Sequence, residues 1–460
     1  MKTQLQYLSL ILLMIPIVLS LGCSSMMTST SQYNGTAAML EQHNYQAAIK
    51  QVERSKGKQY KKKDRVLYYL DMGMLYHYAQ EYEKSNEMLT LAENSMEDLY
   101  TKSVSKAALS MLLNDNALEY SGEDYEDIYT NVFKTLNYLE LNQFDDAFVE
   151  IKRINMKLDL LEDKYGKIAK ELNKSTSRKV TISPGDNRFF NDVLGRYLSM
   201  LIYEAEGKFD DARIDQEKIQ EAFVLQKHIY NFANPIPSDS LKTEDGKVRV
   251  NFLSFIGRAP VKKEYDMFLT TGEDMVMFTG NKPDFFMAPV LMPVGEGYHF
   301  RFSVPYIAPI PSQIKSVRVV VDDGDSYELD KIESIDQIAT ETFKVKEPII
   351  YLKSLTRTIV KGIAAEKQKK RMREKNPGLG GMLMSLATDV AVDLTENADL
   401  RISHFFPSTA VIGEVSLPAG NHFFKINYYN ASGLIIYSEN IGVRNIQPNQ
   451  LNLVETDYLR

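Results

Sequence analysis

Cys23 is the only cysteine in 460 residues, and it directly follows an apolar run, a position that suits covalent modification of the thiol. Without a second thiol no intramolecular disulfide can form. The six histidines, at 43, 77, 228, 299, 404 and 422, are dispersed. None stands four residues from another, as metal-binding pairs on a helix do, so they read as surface or capping side chains. Asp322-Asp323-Gly324-Asp325 lacks the alternate-position ligands of a calcium loop and reads as a turn. The chain has no H-E-x-x-H, G-x-S-x-G, P-loop or G-x-G-x-x-G motif. Its 61 acidic residues offer many carboxylate pairs for glycoside hydrolysis, but a sequence holds no distances. The expectation is a protein that is not an enzyme, with no catalytic residue, no cofactor and no metal.

A composition of 44% hydrophobic and 25% charged residues belongs to a globular chain of this size and excludes disorder and collagen. Lys plus Arg is 54 against 61 Asp plus Glu, a net charge of -7 that speaks against nucleic acid as the main ligand.

Lys2 gives the N-terminus a positive charge, and the run Leu8 to Leu21 (LSLILLMIPIVLSL) is too short to cross a bilayer of about 30 Å comfortably. Residues 1–22 read as a signal peptide. Val18-Leu19-Ser20-Leu21-Gly22-Cys23 resembles the lipobox of bacterial lipoproteins, although Ser20 stands where that family usually has Leu. The resemblance implies lipid attachment at Cys23, and Ser24, rather than Asp, implies the outer membrane. A buried free cysteine is the competing reading, but buried thiols belong to folded cores. Several acyl chains, at about 0.8 kcal/mol per buried methylene, make a stable anchor. Residues 23–34, small and polar, form the lipidated tether.

Residues 35–232 follow a helical pattern with Pro184 as their only proline. Tyr69-x2-Met72-Gly73-x2-Tyr76, then Tyr82-x2-Ser85, resembles the tetratricopeptide (TPR) pattern, in which small residues let two antiparallel helices touch and aromatics fill the grooves between them. The frame recurs at Tyr138, Phe144 and Ala147, at Tyr203, Phe209 and Ala212, and less well at Met39, Tyr45 and Ala48. The small residues 48, 85, 147 and 212 lie 37, 62 and 65 apart, close to one, two and two repeats of about 34. Further helical pairs near 96–120 and 150–180 are expected to fill the gaps. A TPR-like solenoid offers a concave surface for an extended segment of another protein; an irregular helical bundle is the alternative. Glu123 to Asp127 reads as a solvated helix start, acids being favoured there by the helix dipole.

The linker 233–246, within Asn231 to Gly246, holds Pro235, Pro237 and a run of turn formers. Beyond it, 247–460 carries short β-branched and aromatic runs: 247–255, 274–278, 298–304, 315–321, 410–416, 422–429 and 434–441. They predict an antiparallel β-sandwich or partly open barrel, so the fold class is α+β and multidomain, with two independently packed units. A helical hairpin at about 345–394 is set into the β-rich half, with an apolar stripe at Leu352, Leu355, Ile359 and Ile363. Nine basic residues lie between Lys353 and Lys375 against Glu366 and Glu374. The hairpin reads as a cover for an open face of the sandwich. Its basic tip, Lys367, Lys369, Lys370, Arg371, Arg373 and Lys375, reads as a contact for anionic phospholipid or a partner.

Across nearly the whole mature chain these features resemble an uncharacterised family of bacterial TPR-bearing outer-membrane lipoproteins. The fragments that carry the resemblance are Glu126-Asp-Ile-Tyr129, Gly257-Arg-Ala-Pro260-Val-Lys262, Ser303-Val-Pro-Tyr306, Ala398-Asp-Leu-Arg401 and Leu417-Pro-Ala-Gly420. It implies a lipid-anchored scaffold or adaptor, facing the periplasm, that binds envelope proteins through its TPR surface in cell-envelope assembly. The competing readings are a glycan-binding surface lipoprotein, disfavoured because the chain has no Trp for a sugar platform, and a cell-wall-acting enzyme.

Overall fold

A computed structural model describes residues 30–105, 113–175, 183–236, 246–272, 275–280, 299–375, 397–448 and 450–460, with backbone alone for 105, 175, 271–272, 275–280, 299–300 and several positions of 363–375. The signal peptide and Cys23 lie outside the described residues, as does the second arm of the expected hairpin, 378–394. No helix among the described residues is long and apolar enough to cross a membrane.

Eight helices form four consecutive helix-turn-helix pairs. They are α1 (Thr36–Glu41) with α2 (Tyr45–Ser55), α3 (Arg65–Tyr78) with α4 (Tyr82–Ser105), α5 (Asp124–Glu140) with α6 (Phe144–Ser175), and α7 (Val193–Ala205) with α8 (Phe209–Leu225). The helical pairs expected at 96–120 and 150–180 fall partly outside the described residues, and the described parts show no break within either helix. Through 105, and from 144 to 175, the second helix of a pair simply continues, because its apolar side chains keep finding cover. On α6 Leu161, Tyr165, Ala169 and Leu172 pack against Val345 and Ile349 of α9, the long helix Ile335–Lys375. α9 is one continuous element that begins ten residues before the expected start at 345. It contains Pro348, which removes a backbone donor from the helix interior. Close by, the Gly185 N–H donates to the Val345 carbonyl at 2.8 Å, and a Cβ at this glycine would lie 2.3 Å from the Lys344 carbonyl oxygen.

Among the described residues ten strands follow the linker: β1 (Lys247–Arg258), β2 (Val261–Gly272), β3 (Met275–Gly280), β4 (His299–Ala308), β5 (Ser316–Val321), β6 (Ser326–Ser334), β7 (Pro407–Pro418), β8 (Gly420–Tyr429), β9 (Ile435–Ile446) and β10 (Leu453–Tyr458). Seven form a sheet in the order β10-β1-β7-β6-β5-β8-β9, and three form a second sheet, β3-β2-β4. All pairings are antiparallel except β1 with β10. The large sheet curls until its two edge strands approach through side chains, Tyr437 of β9 stacking on Tyr458 of β10 at 4.5 Å. Asp322 and Asp323 adopt left-handed backbone in the β5–β6 turn, as a tight hairpin requires.

Strand alternation separates two apolar clusters. Val250, Phe252, Val319, Phe424, Ile426 and Val454 fill the inside of the curl. Leu253, Phe255, Ala410 and Ile412 point outward, into the same cluster as Leu75, Phe133, Leu136 and Leu198 of the helices. The change from helix to strand thus falls at the linker, but the packing does not divide there. One core spans both halves, which corrects the expectation of two independently packed units. A protease site placed at 237–245 and cut should therefore leave two fragments that co-elute on size exclusion in native buffer. Separate elution without denaturant would contradict the shared core.

Candidate peptide-binding groove

The residues expected to pack the helical repeats occupy equivalent places in four turns. His43, Gln80, Asn142 and Gly207 have φ of 52°, 59°, 58° and 72°. The next residue in each turn, Asn44, Glu81, Gln143 or Lys208, donates its N–H to the carbonyl of Met39, Tyr76, Tyr138 or Tyr203 at 2.8 to 2.9 Å. This is the helix-ending motif built on one left-handed residue. Five residues after the left-handed one, Ala48, Ser85, Ala147 and Ala212 are all fully buried. In the second pair Ser85 Oγ donates to the Gly73 carbonyl at 2.8 Å, and a Cβ at Gly73 would lie 2.5 Å from Leu89 Cδ2. Met72 is buried; Tyr69, Tyr76, Tyr138, Phe144 and Tyr203 pack half-buried against the main core, and Tyr82 lies edge-on to His77. Phe209, in the last pair, is 58% exposed. Gly73→Leu should lower the melting temperature by an overpacking cost of about 1–3 kcal/mol. An unchanged melting point would mean that α3 and α4 do not touch there.

The first helices α3, α5 and α7 are mostly buried, because the face they share is covered by this chain's own β-rich half. The closest cover is the extended segment 397–406, which enters β7. Its alternate residues meet positions two helical turns apart on α3. Arg401 Nη1 donates to Asp64 beside the start of α3 at 3.0 Å, Ser403 Oγ to Asp71 at 2.6 Å, and the Phe405 carbonyl accepts from Tyr78 Oη at 2.8 Å. Side chains also hold its main chain elsewhere. Asn116 Nδ2 donates to the carbonyls of Asn397 and Ala398, Tyr33 Oη donates to that of Ile402, and Glu126 Oε1 accepts from the Ser403 N–H at 2.6 Å. Phe406 ends the segment against Tyr125 and Phe133 of α5.

Burial sets the electrostatics. Asp71 accepts from Tyr33, Tyr60 and Ser403, yet desolvation still pushes its carboxyl up to about 7. Glu126 is likewise pushed to about 7, by burial and by the neighbouring charge of Glu123. Arg401 is 5% exposed and forks onto Asp399 at 2.7 and 2.9 Å. Asp399 is held below the usual carboxylate range by Arg401, against the opposing effect of burial.

The acidic stretch at 123–127 does start a helix, with a capping box from Glu123 to Glu126, but Glu123, Asp124 and Glu126 are buried rather than solvated. Cations from three other elements reach them. Lys262 of β2 and Lys346 of α9 each lie 2.6 Å from Glu123, and Lys164 of α6 lies 2.7 Å from Asp124. Two of the five fragments behind the family resemblance, those ending at Tyr129 and Lys262, therefore meet at the start of α5, and the one ending at Arg401 docks just before it on the carbonyls of Asp115 and Leu118. The Ser303 to Tyr306 fragment lies in β4, where Tyr351 Oη of α9 donates to the Pro305 carbonyl, and Leu417 to Gly420 turns β7 into β8. No group of three metal-ligating side chains occurs among the described residues. Of the basic tip, all six residues lie on α9, and Arg371 is exposed.

The main chain of 397–406 is thus held by Tyr78 and Glu126 of the helices and by Asn116 and Tyr33 of the turns beside them. No family model matches the chain, and no curated protein or solved structure does either.

Proposed function

We propose that this protein is a lipid-anchored scaffold or adaptor of the outer membrane, facing the periplasm, whose TPR-like helical half binds envelope proteins during cell-envelope assembly, without catalysis of its own. Because 397–406 already fills the groove along α3 and α5, the observation that carries the reading is the outer face of the helical array. The second helices leave apolar side chains exposed there: Val149, Met156 and Leu160 stand seven and four apart on one face of α6. A row of exposed apolar side chains on one helix face suits cover by a partner.

The test is cross-linking in intact cells, with a photoreactive residue at Met156 or Leu160 of the anchored protein. One dominant envelope partner captured from these positions, and not from a control position on the opposite side, supports the reading. Capture without a dominant species would sink it.

A further inference from the structure

Residues 54–63 (RSKGKQYKKK) carry six basic and no acidic side chains, on a chain whose net charge is -7. Arg54, Lys56, Lys58, Lys61 and Lys62 are exposed. The loop that presents them is fixed in shape. Gly57 takes φ 76°, the N–H groups of Lys58, Gln59 and Tyr60 all donate to the Ser55 carbonyl, and Tyr60, 3% exposed, is pinned by its hydroxyl to Asp71.

The same loop lies where the chain enters the fold. Gln59 Nε2 donates to Ser31 Oγ at 3.1 Å, and Gln51 Nε2 from the preceding helix donates to the Asn34 carbonyl at 2.8 Å. Only eight residue steps separate Ser31 from Cys23, a reach of at most about 29 Å even when fully extended. α9 passes nearby. Lys63 Nζ donates to the Asn116 carbonyl, while Lys353 Nζ holds Asp115 at 2.9 Å and Arg357 donates to the Leu113 carbonyl. Past Arg357 the helix continues for about 27 Å at 1.5 Å per residue, and between Lys361 and Lys375 it carries seven basic residues against two acidic ones.

We infer that loop 54–63 is a membrane-facing surface that lies against anionic phospholipid headgroups beside the tether, with the last turns of α9 as a second contact. This deepens the anchored-scaffold reading and rests on lipid attachment at Cys23. A single flexible tether leaves the body free to tumble. A basic face beside the tether, on an otherwise acidic body, turns that face to an anionic leaflet and presents the remaining surface to partners. Each Lys or Arg near such a surface adds about 1 kcal/mol, or roughly fivefold in affinity, and the attraction fades beyond a Debye length.

The experiment uses the mature chain with Cys23→Ser, unlipidated, and co-sedimentation with phosphatidylcholine vesicles with or without phosphatidylglycerol. Binding is expected only with phosphatidylglycerol, at low salt, with release at high salt. Replacing Lys56, Lys58, Lys61 and Lys62 by Gln should weaken it by about tenfold or more and leave the melting temperature unchanged. No preference for phosphatidylglycerol, or equal binding by the fourfold variant, overturns the inference. So does a loss of binding seen only when Lys367, Lys369, Lys370, Arg371, Arg373 and Lys375 are replaced. Lipid attachment itself is decided separately, by detergent partitioning of the native protein against its Cys23→Ser variant.

Discussion

Replacing Arg401 by Ala should destabilise the protein by about 3–5 kcal/mol, the cost of leaving buried charge uncompensated. The guanidinium uses both terminal nitrogens and Nε. Nη1 reaches Asp64 and the Leu118 carbonyl, both at 3.0 Å; Nη2 reaches the Asp115 carbonyl at 2.8 Å and Asp399 at 2.7 Å; Nε reaches Asp399 at 2.9 Å. Its removal strands two carboxylates, of which Asp399 has its charge maintained chiefly by this arginine, and two carbonyls in a place water reaches poorly. The damage is also topological, since these bonds seat segment 397–406 on the helices. Arg401→Lys should recover only part of the loss, because an ammonium cannot match the planar fork. Urea unfolding of the three proteins is the measurement. A loss below about 1 kcal/mol for the Ala variant would mean that the ion pairs are solvated and the segment is not seated as described.

Arg401 also shows which parts of the fold are legible in the sequence. The four helical turns are, because their determinants are local: a left-handed residue, an aromatic two positions later and a small residue three beyond that lie within one short stretch. Strands with clean β-branched runs, such as 315–321 and 410–416, are legible for the same reason. β2 is not, because Lys262, Lys263 and Glu264 make its first half look like a loop, whereas Lys262 is buried against Glu123, 139 residues away. β10 is a short edge strand in which Val454, Thr456 and Tyr458 alternate with Glu455 and Asp457, a pattern too brief to set it apart in the sequence. The acidic start of α5 looks solvated for a related reason, since the lysines that neutralise it come from elements distant in the chain. Nor does a hydrophobic period say what will cover it. The inner face of the helical array looks like a vacant binding surface in the sequence, and only the tertiary fold places 397–406 on it. The run of lysines at 56–63 is plain in the sequence; its place beside the entry of the chain is not.

Stability should rise as the pH falls from 8 to about 5 and fall again below about 4. Asp71, Glu126 and Asp457 are pushed up to about 7, and Glu439 to about 8, each chiefly by burial. In the unfolded chain such groups titrate near 4. Between those values the native state holds protons that the unfolded state has released, so the stability they contribute is complete below about pH 4 and is lost as the pH rises through 7 to 8. Glu93 acts in the opposite sense. Lys157 and Lys134 hold it down to about 2, so its contribution is present above the unfolded value and disappears in acid.

Glu439 isolates the first effect. It lies on β9 at the seam of the curled sheet, its charge opposed by Asp457 of β10, and its buried Oε2 has no hydrogen-bond partner. Asp457 itself is engaged by Tyr45 Oη, while His77 pairs with the neighbouring Glu455 at 2.8 Å. Glu439→Gln keeps the shape and removes the titration, so it should raise the melting temperature at pH 8 and change it little at pH 5. Melting curves of both proteins at pH 8, 6.5, 5 and 3 make the comparison. A wild type most stable at pH 8, or a variant whose gain is the same at every pH, would show that these carboxyls are solvated and that the seam between β9 and β10 is open to water.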